Sequence, residues 1–265
     1  MIEVKNVSKS FNGQKVLFDI NHVFEEGKVN LIIGPSGQGK SVLAKCIVGL
    51  YDPEEGQILF DQRNFTNMDR AQRSAIRQEI GMLFQGSALF DSMTVEQNVM
   101  FPLQMFTNMT KAEIQNRTDF CLERVNLAGR NKLLPSECSG GMQKRVGIAR
   151  AISMNPRYLF CDEPNSGLDP KTSIVIDNLI QDITQEYKIT TVVITHDMNS
   201  VFRIGTRIIM LGTGPNQGKI IATGTPDEIR AHPHPAVQQF INGDPEGDGS
   251  DDSGELLYRE MLLGQ

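Results

Sequence analysis

Eight consecutive residues, Gly34-Pro35-Ser36-Gly37-Gln38-Gly39-Lys40-Ser41, follow a short apolar run and precede a helix-favouring one. In such a G-x-x-x-x-G-K-S loop the glycines let successive backbone N–H groups curl around a phosphate, and the helix N-terminus that follows adds positive potential. Lys40 can bridge the β- and γ-phosphates of a nucleotide, and Ser41 can ligate Mg²⁺. At average glycine use, a chance match in a chain of this length is on the order of 1%. The strand–loop–helix context lowers that further.

Four other places could complete a phosphate-cleaving centre. Tyr158-Leu159-Phe160-Cys161-Asp162-Glu163 is an apolar strand ending in two acids. Taken alone this is commonly a solvated turn. Beside a phosphate loop it suits Mg²⁺ and water, with Asp162 in the cation's shell and Glu163 polarising water for in-line attack on the γ-phosphate. Ser139-Gly140-Gly141-Met142-Gln143 opens a helix-like run and offers a second phosphate contact, one that serves a site on another copy of the molecule. Gln85 ends the strand-like residues 80–84; such a Gln is usually a plain surface residue, but here it is placed to reach Mg²⁺ or the lytic water. His196 follows the strand-like residues 191–195, at the carboxyl end where ligands gather in open α/β sheets, so it can contact the γ-phosphate.

Two further residues admit a bland and a functional reading. The Ser166-Gly167-Leu168-Asp169-Pro170 segment is an ordinary turn into a helix or an interface loop beside the acids. Phe11 is a core aromatic or a platform for adenine; stacking of that kind contributes roughly 1–3 kcal/mol.

The elements that must position these residues alternate along the chain. Strands are predicted at residues 29–33, 80–84, 158–161, 191–195 and 207–211, and a helix at 41–50. Residues 100–151 favour helix, most clearly at 111–125 and 143–153. An α/β core split by a helical insertion follows. Residues 243–254 are rich in Gly, Asp and Ser, which predicts a linker or tail. Residues 255–262 are apolar enough to dock, or else form a frayed terminus.

Composition bounds the partners. The 265 residues suit one large α/β domain, and 39% apolar content places it among globular proteins. A formal charge of −6 gives no reason to expect nucleic-acid binding. No apolar run is long enough to span a bilayer, and the N-terminus has no signal-peptide core. Cys46, Cys121, Cys138 and Cys161 show no metal spacing and suit reduced thiols in the cytosol.

These elements, in this order, resemble the ATP-binding-cassette ATPases over residues 1–243. The resemblance implies an α/β P-loop NTPase core, a mixed sheet plus β-subdomain, with a helical subdomain at about 86–155; residues 244–265 then form an acidic tail. It makes Gly34–Ser41 the Walker A loop, the end of 159–162 Walker B, Glu163 the catalytic glutamate, Gln85 the Q-loop residue and His196 the H-loop switch. Asp169 falls in the D-loop, Phe11 at the adenine-stacking position, and Ser139, Gly140 and Gly141 in the L-S-G-G-Q element, where Cys138 and Met142 depart from the usual Leu and Gln. ATP and Mg²⁺ are the implied cofactors. Mg²⁺ would be held by Ser41, Gln85 and Asp162.

The implied assembly is a homodimer around two ATP that drives an integral membrane permease from the cytoplasmic face of the cell membrane. The stretch 84–103, the run Ser139 to Val146 and the ending 235–243 look like Mla-type lipid transporters, which work with Mce-domain proteins and a small accessory subunit. In that group a C-terminal extension reaches the partner ATPase, and residues 258–263 hold that place here. The Phe-, Met- and Leu-rich residues 86–106 are the candidate permease contact, or else insertion core. An ATPase of an amino-acid or other small-solute importer shares much of the pattern. A cassette ATPase of DNA repair or ribosomes usually has two cassettes in one chain or a long coiled coil, and this chain has neither.

Overall fold

The computed structural model describes residues 1–243. The predicted tail, with its docking segment, lies outside the described residues.

The chain opens with two long strands, β1 (Ile2–Phe11) and β2 (Gln14–Phe24), joined through Asn12 and Gly13. Both linker residues take positive φ, 51° and 79°, as a tight hairpin turn requires. With β4 (Glu55–Phe60) and β5 (Arg63–Asn64) they form an antiparallel sheet in the order β2-β1-β4-β5. A second sheet runs β10-β9-β3-β8-β7-β6, from β3 (Val29–Ile33), β6 (Ile80–Leu83), β7 (Tyr158–Asp162), β8 (Thr190–Ile194), β9 (Arg207–Leu211) and β10 (Ile220–Gly224). Its strands pair in parallel except β10, the antiparallel edge.

The parallel strands are apolar almost throughout because both faces are covered. Alternate residues face opposite cores: Leu31, Ile33, Leu159, Cys161 and Val193 join one cluster, while Ile32, Phe160, Val192 and Ile194 join the other. The second cluster is closed by the antiparallel sheet, through Ile2, Phe24 and Phe60, and by α1 (Lys40–Ile47) through Leu43 and Ile47. Fully burying one such side chain contributes about 1.5–3 kcal/mol. A polar clasp adds to it at the sheet ends: Arg63 donates two bonds of 2.7 Å to Glu79, and Tyr158 donates to Asp61 at 2.6 Å.

The other face is covered by helices: α3 (Val95–Phe106), α4 (Lys111–Arg124), α5 (Gly140–Ile152), α6 (Pro170–Tyr187) and α7 (Met198–Ile204). Short helices α2 (Arg70–Gln78), α8 (Pro226–Arg230) and α9 (Pro235–Asn242) complete the described α-helices. No described helix is long and apolar enough to cross a membrane.

Three predicted boundaries move for local reasons. The helix after the phosphate loop ends at Ile47 rather than residue 50, because Gly49 turns to φ 75°. The helix predicted from residue 143 starts at Gly140, because the Ser139 hydroxyl accepts from the Met142 N–H at 3.3 Å and caps it there. Helix α3 begins at Val95, ahead of the helix-favouring stretch, because Thr94 and Gln97 form a capping box.

Candidate functional site

The carboxyl ends of four neighbouring strands, β3, β8, β7 and β6, meet along one edge of the larger sheet. They carry respectively the Gly34–Ser41 loop, His196, the Asp162–Glu163 pair and Gln85. Sequence separations of more than a hundred residues thus collapse into one row, because parallel strands present all their carboxyl ends on the same side.

The loop is shaped by its backbone. Gly34 has φ 137°, and a Cβ there would lie 2.6 Å from the Leu211 carbonyl oxygen of β9. Gly39 has φ 94° as the residue before α1, with no side-chain cap on that helix; its first N–H groups therefore face the loop unclaimed by a capping side chain. Val16 and Leu17 of β2 press against Gly39 from behind, and so the hairpin bearing Phe11 buttresses the loop. Lys40 is buried and donates to the Gly34 and Pro35 carbonyls at 2.6 and 2.7 Å. Burial holds its pKa below the ordinary lysine range, while the nearby charges of Glu163 and Asp162 pull it back up. Gln38 donates to the Ser36 carbonyl at 3.3 Å, tightening the turn.

Asp162 ends β7 with its Oδ1 buried and without a hydrogen-bond partner. Burial and the Glu163 charge raise its pKa, against the pull of Lys45, Lys40 and the Ser41 side chain. A buried carboxylate oxygen with no donor, next to a serine hydroxyl and a phosphate-type loop, is a donor set that fits a hard divalent cation. Gln85 is exposed in the turn two residues past β6, which ends at Leu83 rather than at residue 84, and is followed by Ser87 and Ala88 at φ 60° and 46°.

Glu163 sits in the left-handed region, φ 47°, a conformation that costs a residue with a Cβ energy and that clusters at working sites. Its N–H donates to the Ile194 carbonyl at 2.9 Å, and its Oε1 lies 2.8 Å from His196 Nδ1. His196 is largely exposed and shares the wall of a hollow of about 500 Å³ with Pro35 and Ser36.

The remaining predicted residues lie elsewhere. Gly140 and Gly141 lie by the N-terminus of α6: Gly141 is buried with the Thr172 methyl against its α-carbon, and Gly140 faces Leu168. Ser139 and Gly140 are exposed at the start of α5. Asp169 spends its carboxylate capping α6, accepting from the Lys171 and Thr172 N–H groups at 3.0 and 3.1 Å and from the Thr172 hydroxyl at 2.5 Å. Phe11, half-exposed beside the hairpin turn, meets Tyr51 edge-on at 5.1 Å with the Lys9 ammonium 5.2 Å from its ring centre.

Lys144 was not predicted. It is a buried lysine of α5 whose Nζ donates to the backbone carbonyls of Gln85 and of Glu163, the latter at 3.2 Å. It ties the helix that starts with Ser-Gly-Gly to the two strand ends of the site. A signal existed: Lys144 is in helical register with buried Gly147, Ile148 and Ala151, where a charge is out of place unless satisfied.

Comparison with known proteins agrees with this geometry. The ABC transporter family profile matches residues 17–166, more than half the chain. The intermembrane phospholipid transport system ATP-binding protein MlaF of Escherichia coli is 37% identical over 248 residues, 93% of this chain and 90% of that one. The methionine import ATP-binding protein MetN 1 of Pseudomonas putida is 37% identical over 271 aligned positions, 99% of this chain and 80% of that one. Among solved structures, the dimeric post-hydrolysis state of the ATP-binding cassette MJ0796 bound to ADP and Pi superposes with a TM-score of 0.76 at 33% identity, covering 85% of this chain and 99% of that one. With the profile match, the identity and the fold in agreement, this chain belongs to the ABC transporter family, as an ATP-binding subunit that hydrolyses ATP.

Proposed function

We propose that this ATPase works as a two-fold dimer that drives a membrane permease moving phospholipid. What supports the dimer is the exposed Ser139-Gly140 start of α5, whose close neighbours are Leu168 and Thr172 rather than the loop or His196, together with the likeness to a dimeric cassette structure. A helix N-terminus presents N–H donors suited to a γ-phosphate. Two copies related by a two-fold axis set the Ser139–Gly141 start of each against the nucleotide of the other, giving two composite sites.

Within each site, ATP phosphates draw Lys40 away from its own loop carbonyls and take its N–H donors. Ser41, Asp162 and Gln85 would hold Mg²⁺. When bound, the cation neutralises phosphate charge and orients the β- and γ-phosphates. Glu163 accepts a proton from the attacking water as its oxygen bonds to the γ-phosphorus, and the bond to the ADP oxygen breaks in line. His196, oriented by Glu163, contacts the γ-phosphate. Phe11 lies under the adenine, and Asp169 shapes the loop at the dimer seam. Release of phosphate removes what joined the two copies.

The permease contact is the hollow of about 300 Å³ beside Gln85, lined by Phe84, Phe90, Phe101, Pro102 and Phe106. Phe84, Phe90 and Phe106 are exposed there together with Met105. An apolar patch of that kind, next to a residue of the nucleotide site, is where a membrane subunit would sense nucleotide state. The phospholipid reading is supported by the match to MlaF across nine-tenths of both chains, beside the resemblance of residues 84–103 to the Mla-type group. On that reading the subunit would work at the cytoplasmic face of the inner membrane, with an Mce-domain protein and a small accessory subunit as further partners. Amino-acid import is the second reading, favoured by a match to MetN 1 over 99% of this chain.

Purification of the chain with its membrane complex, followed by mass spectrometry of subunits and extracted lipid, separates the two. Phospholipid and an Mce-domain subunit are expected. A soluble amino-acid-binding subunit, with turnover stimulated by its amino acid and not by phospholipid, would sink the lipid reading.

A further inference from the structure

Beneath the Glu163–His196 pair lies a chain of polar side chains that neither the phosphate contacts nor the dimer seam accounts for. Asp177, on the inner face of α6, is wholly buried. Its Oδ2 accepts from the Arg203 guanidinium at 2.5 Å, and its Oδ1 accepts from the Asn165 amide at 2.7 Å. The same amide donates to the Ser200 hydroxyl at 2.8 Å, and that hydroxyl donates to Asp197 Oδ2 at 2.8 Å. Every direction in this relay is determined. Ser200 gives its proton to Asp197 and must accept from Asn165, whose two amide N–H groups are then both spent.

The ends of the relay matter. Asn165 is two residues past Glu163, in the turn leading to Asp169. Asp197 directly follows His196 and caps α7 by accepting from the Asn199 N–H at 3.0 Å. The relay therefore joins the turn after β7 to the helix start after β8. Glu163 itself is held at φ 47°, a conformation that persists only where its surroundings over-determine it.

A buried carboxylate is retained at a cost unless its partners are in place, and a half-satisfied network is worse than an apolar one. Asn165 and Ser200 are buried as well, so a polar group that loses its partner there carries a desolvation cost. An ordinary helix-packing role would be filled more cheaply by Ile or Leu, the types that occupy neighbouring core positions Ile176 and Ile180.

We propose that Asp177 is a positioning residue for ATP hydrolysis: through Asn165, which also reaches Asp197 by way of Ser200, and through Arg203 of α7, it locks the Glu163 turn and the His196 helix into one spacing. This rests on Glu163 and His196 being the hydrolytic pair. The phosphate loop belongs to β3 and is outside the relay, so ATP binding and hydrolysis should respond differently.

The test uses single-turnover and steady-state ATP hydrolysis by the full chain. Asp177→Asn keeps shape and removes the charge; it is expected to lower kcat about tenfold, since misplacements of this order at a reacting centre cost up to 10²-fold, with KM for ATP within about twofold. Ser200→Ala, which deletes one oxygen and no charge, should lower kcat in the same sense by less. In a His196→Ala background, read by single turnover, Asp177→Asn should produce no further fall, because a residue acting through another is not additive with it. Unchanged kcat in folded Asp177→Asn, a parallel change in kcat and KM, or full multiplication of the two effects would each overturn the proposal. If Asp177→Asn does not fold, Ser200→Ala decides by the same readouts. Failure of the hydrolytic-pair reading is distinguishable: Glu163→Gln and His196→Ala would then hydrolyse ATP at the unsubstituted rate, whatever the Asp177 variants do.

Discussion

Glu163 Oε1 and His196 Nδ1 stand 2.8 Å apart although they follow different strands, β7 and β8, which run side by side in register. The contact fixes which imidazole nitrogen faces the carboxylate and leaves the other directed away from it. Glu163→Gln keeps the shape of the side chain and removes its basicity. Turnover should fall about 10²- to 10⁴-fold, the usual contribution of a general base. A species twice the monomer mass, holding ATP and no ADP, should accumulate on size-exclusion chromatography. Unchanged turnover would remove Glu163 from the mechanism.

Lys144 bonds the Gln85 and Glu163 carbonyls from inside the fold. Lys144→Met fills the space and satisfies neither. Each buried polar group left unpaired costs about 1–3 kcal/mol, so the urea midpoint should drop by a corresponding amount. Because both carbonyls belong to site residues, kcat should fall more than KM rises. A variant with native stability and turnover would show that the lysine only fills the core.

Asp162 is ionised at a cost, since burial and Glu163 hold its pKa above the ordinary carboxylate value. A carboxylate whose folded pKa is raised destabilises the folded state while charged, and that penalty fades as pH falls toward and through the raised value. Asp162→Asn should therefore make the nucleotide-free protein more resistant to urea near neutral pH, and remove most of the stabilisation that Mg²⁺ with ATP confers. Denaturation curves with and without Mg²⁺-ATP check both signs. Chelation of the cation should abolish turnover of the unsubstituted protein.

A Cβ on Gly141 would lie 2.4 Å from Thr172 Cγ2, so either the helix start or α6 must shift. Gly141→Ala should destabilise the chain by about 1–3 kcal/mol, as overpacking does. Adding Thr172→Ser removes the methyl and should restore much of that loss in the same denaturation assay. If the double variant is no more stable than Gly141→Ala, the clash is not what makes glycine necessary.

The Phe-rich hollow beside Gln85 is separate from the phosphate loop. Phe90→Ser with Phe106→Ser should leave ATP turnover of the isolated chain within about twofold, as surface changes away from a site do, while reducing the membrane subunit recovered with it. Equal recovery would move the permease contact elsewhere.

Much of the site was legible in the chain because its chemistry depends on short contiguous runs. The Gly34–Ser41 loop and the Asp162–Glu163 strand end are fixed by residues within a few positions, and the apolar runs at 29–33 and 207–211 match the strands Val29–Ile33 and Arg207–Leu211. Lys144, Asn165, Asp177 and Ser200 escaped notice for the opposite reason. Each is an ordinary polar residue locally, and contacts across 12 to 59 positions of sequence join it to the rest of the site.

By itself, then, the sequence determined the candidate phosphate loop and strand-end acids, the alternation of strands and helices, and the family, since these are local patterns of residue type and spacing. The tertiary structure decided the rest. Parallel pairing in the order β3-β8-β7-β6 set His196 against Glu163 and turned Lys144 onto both strand ends. It also left Ser139 and Gly140 exposed at the start of α5 while packing Gly141 against Thr172 of α6. Strand order and helix packing follow from long-range burial of both sheet faces, which no window of sequence contains.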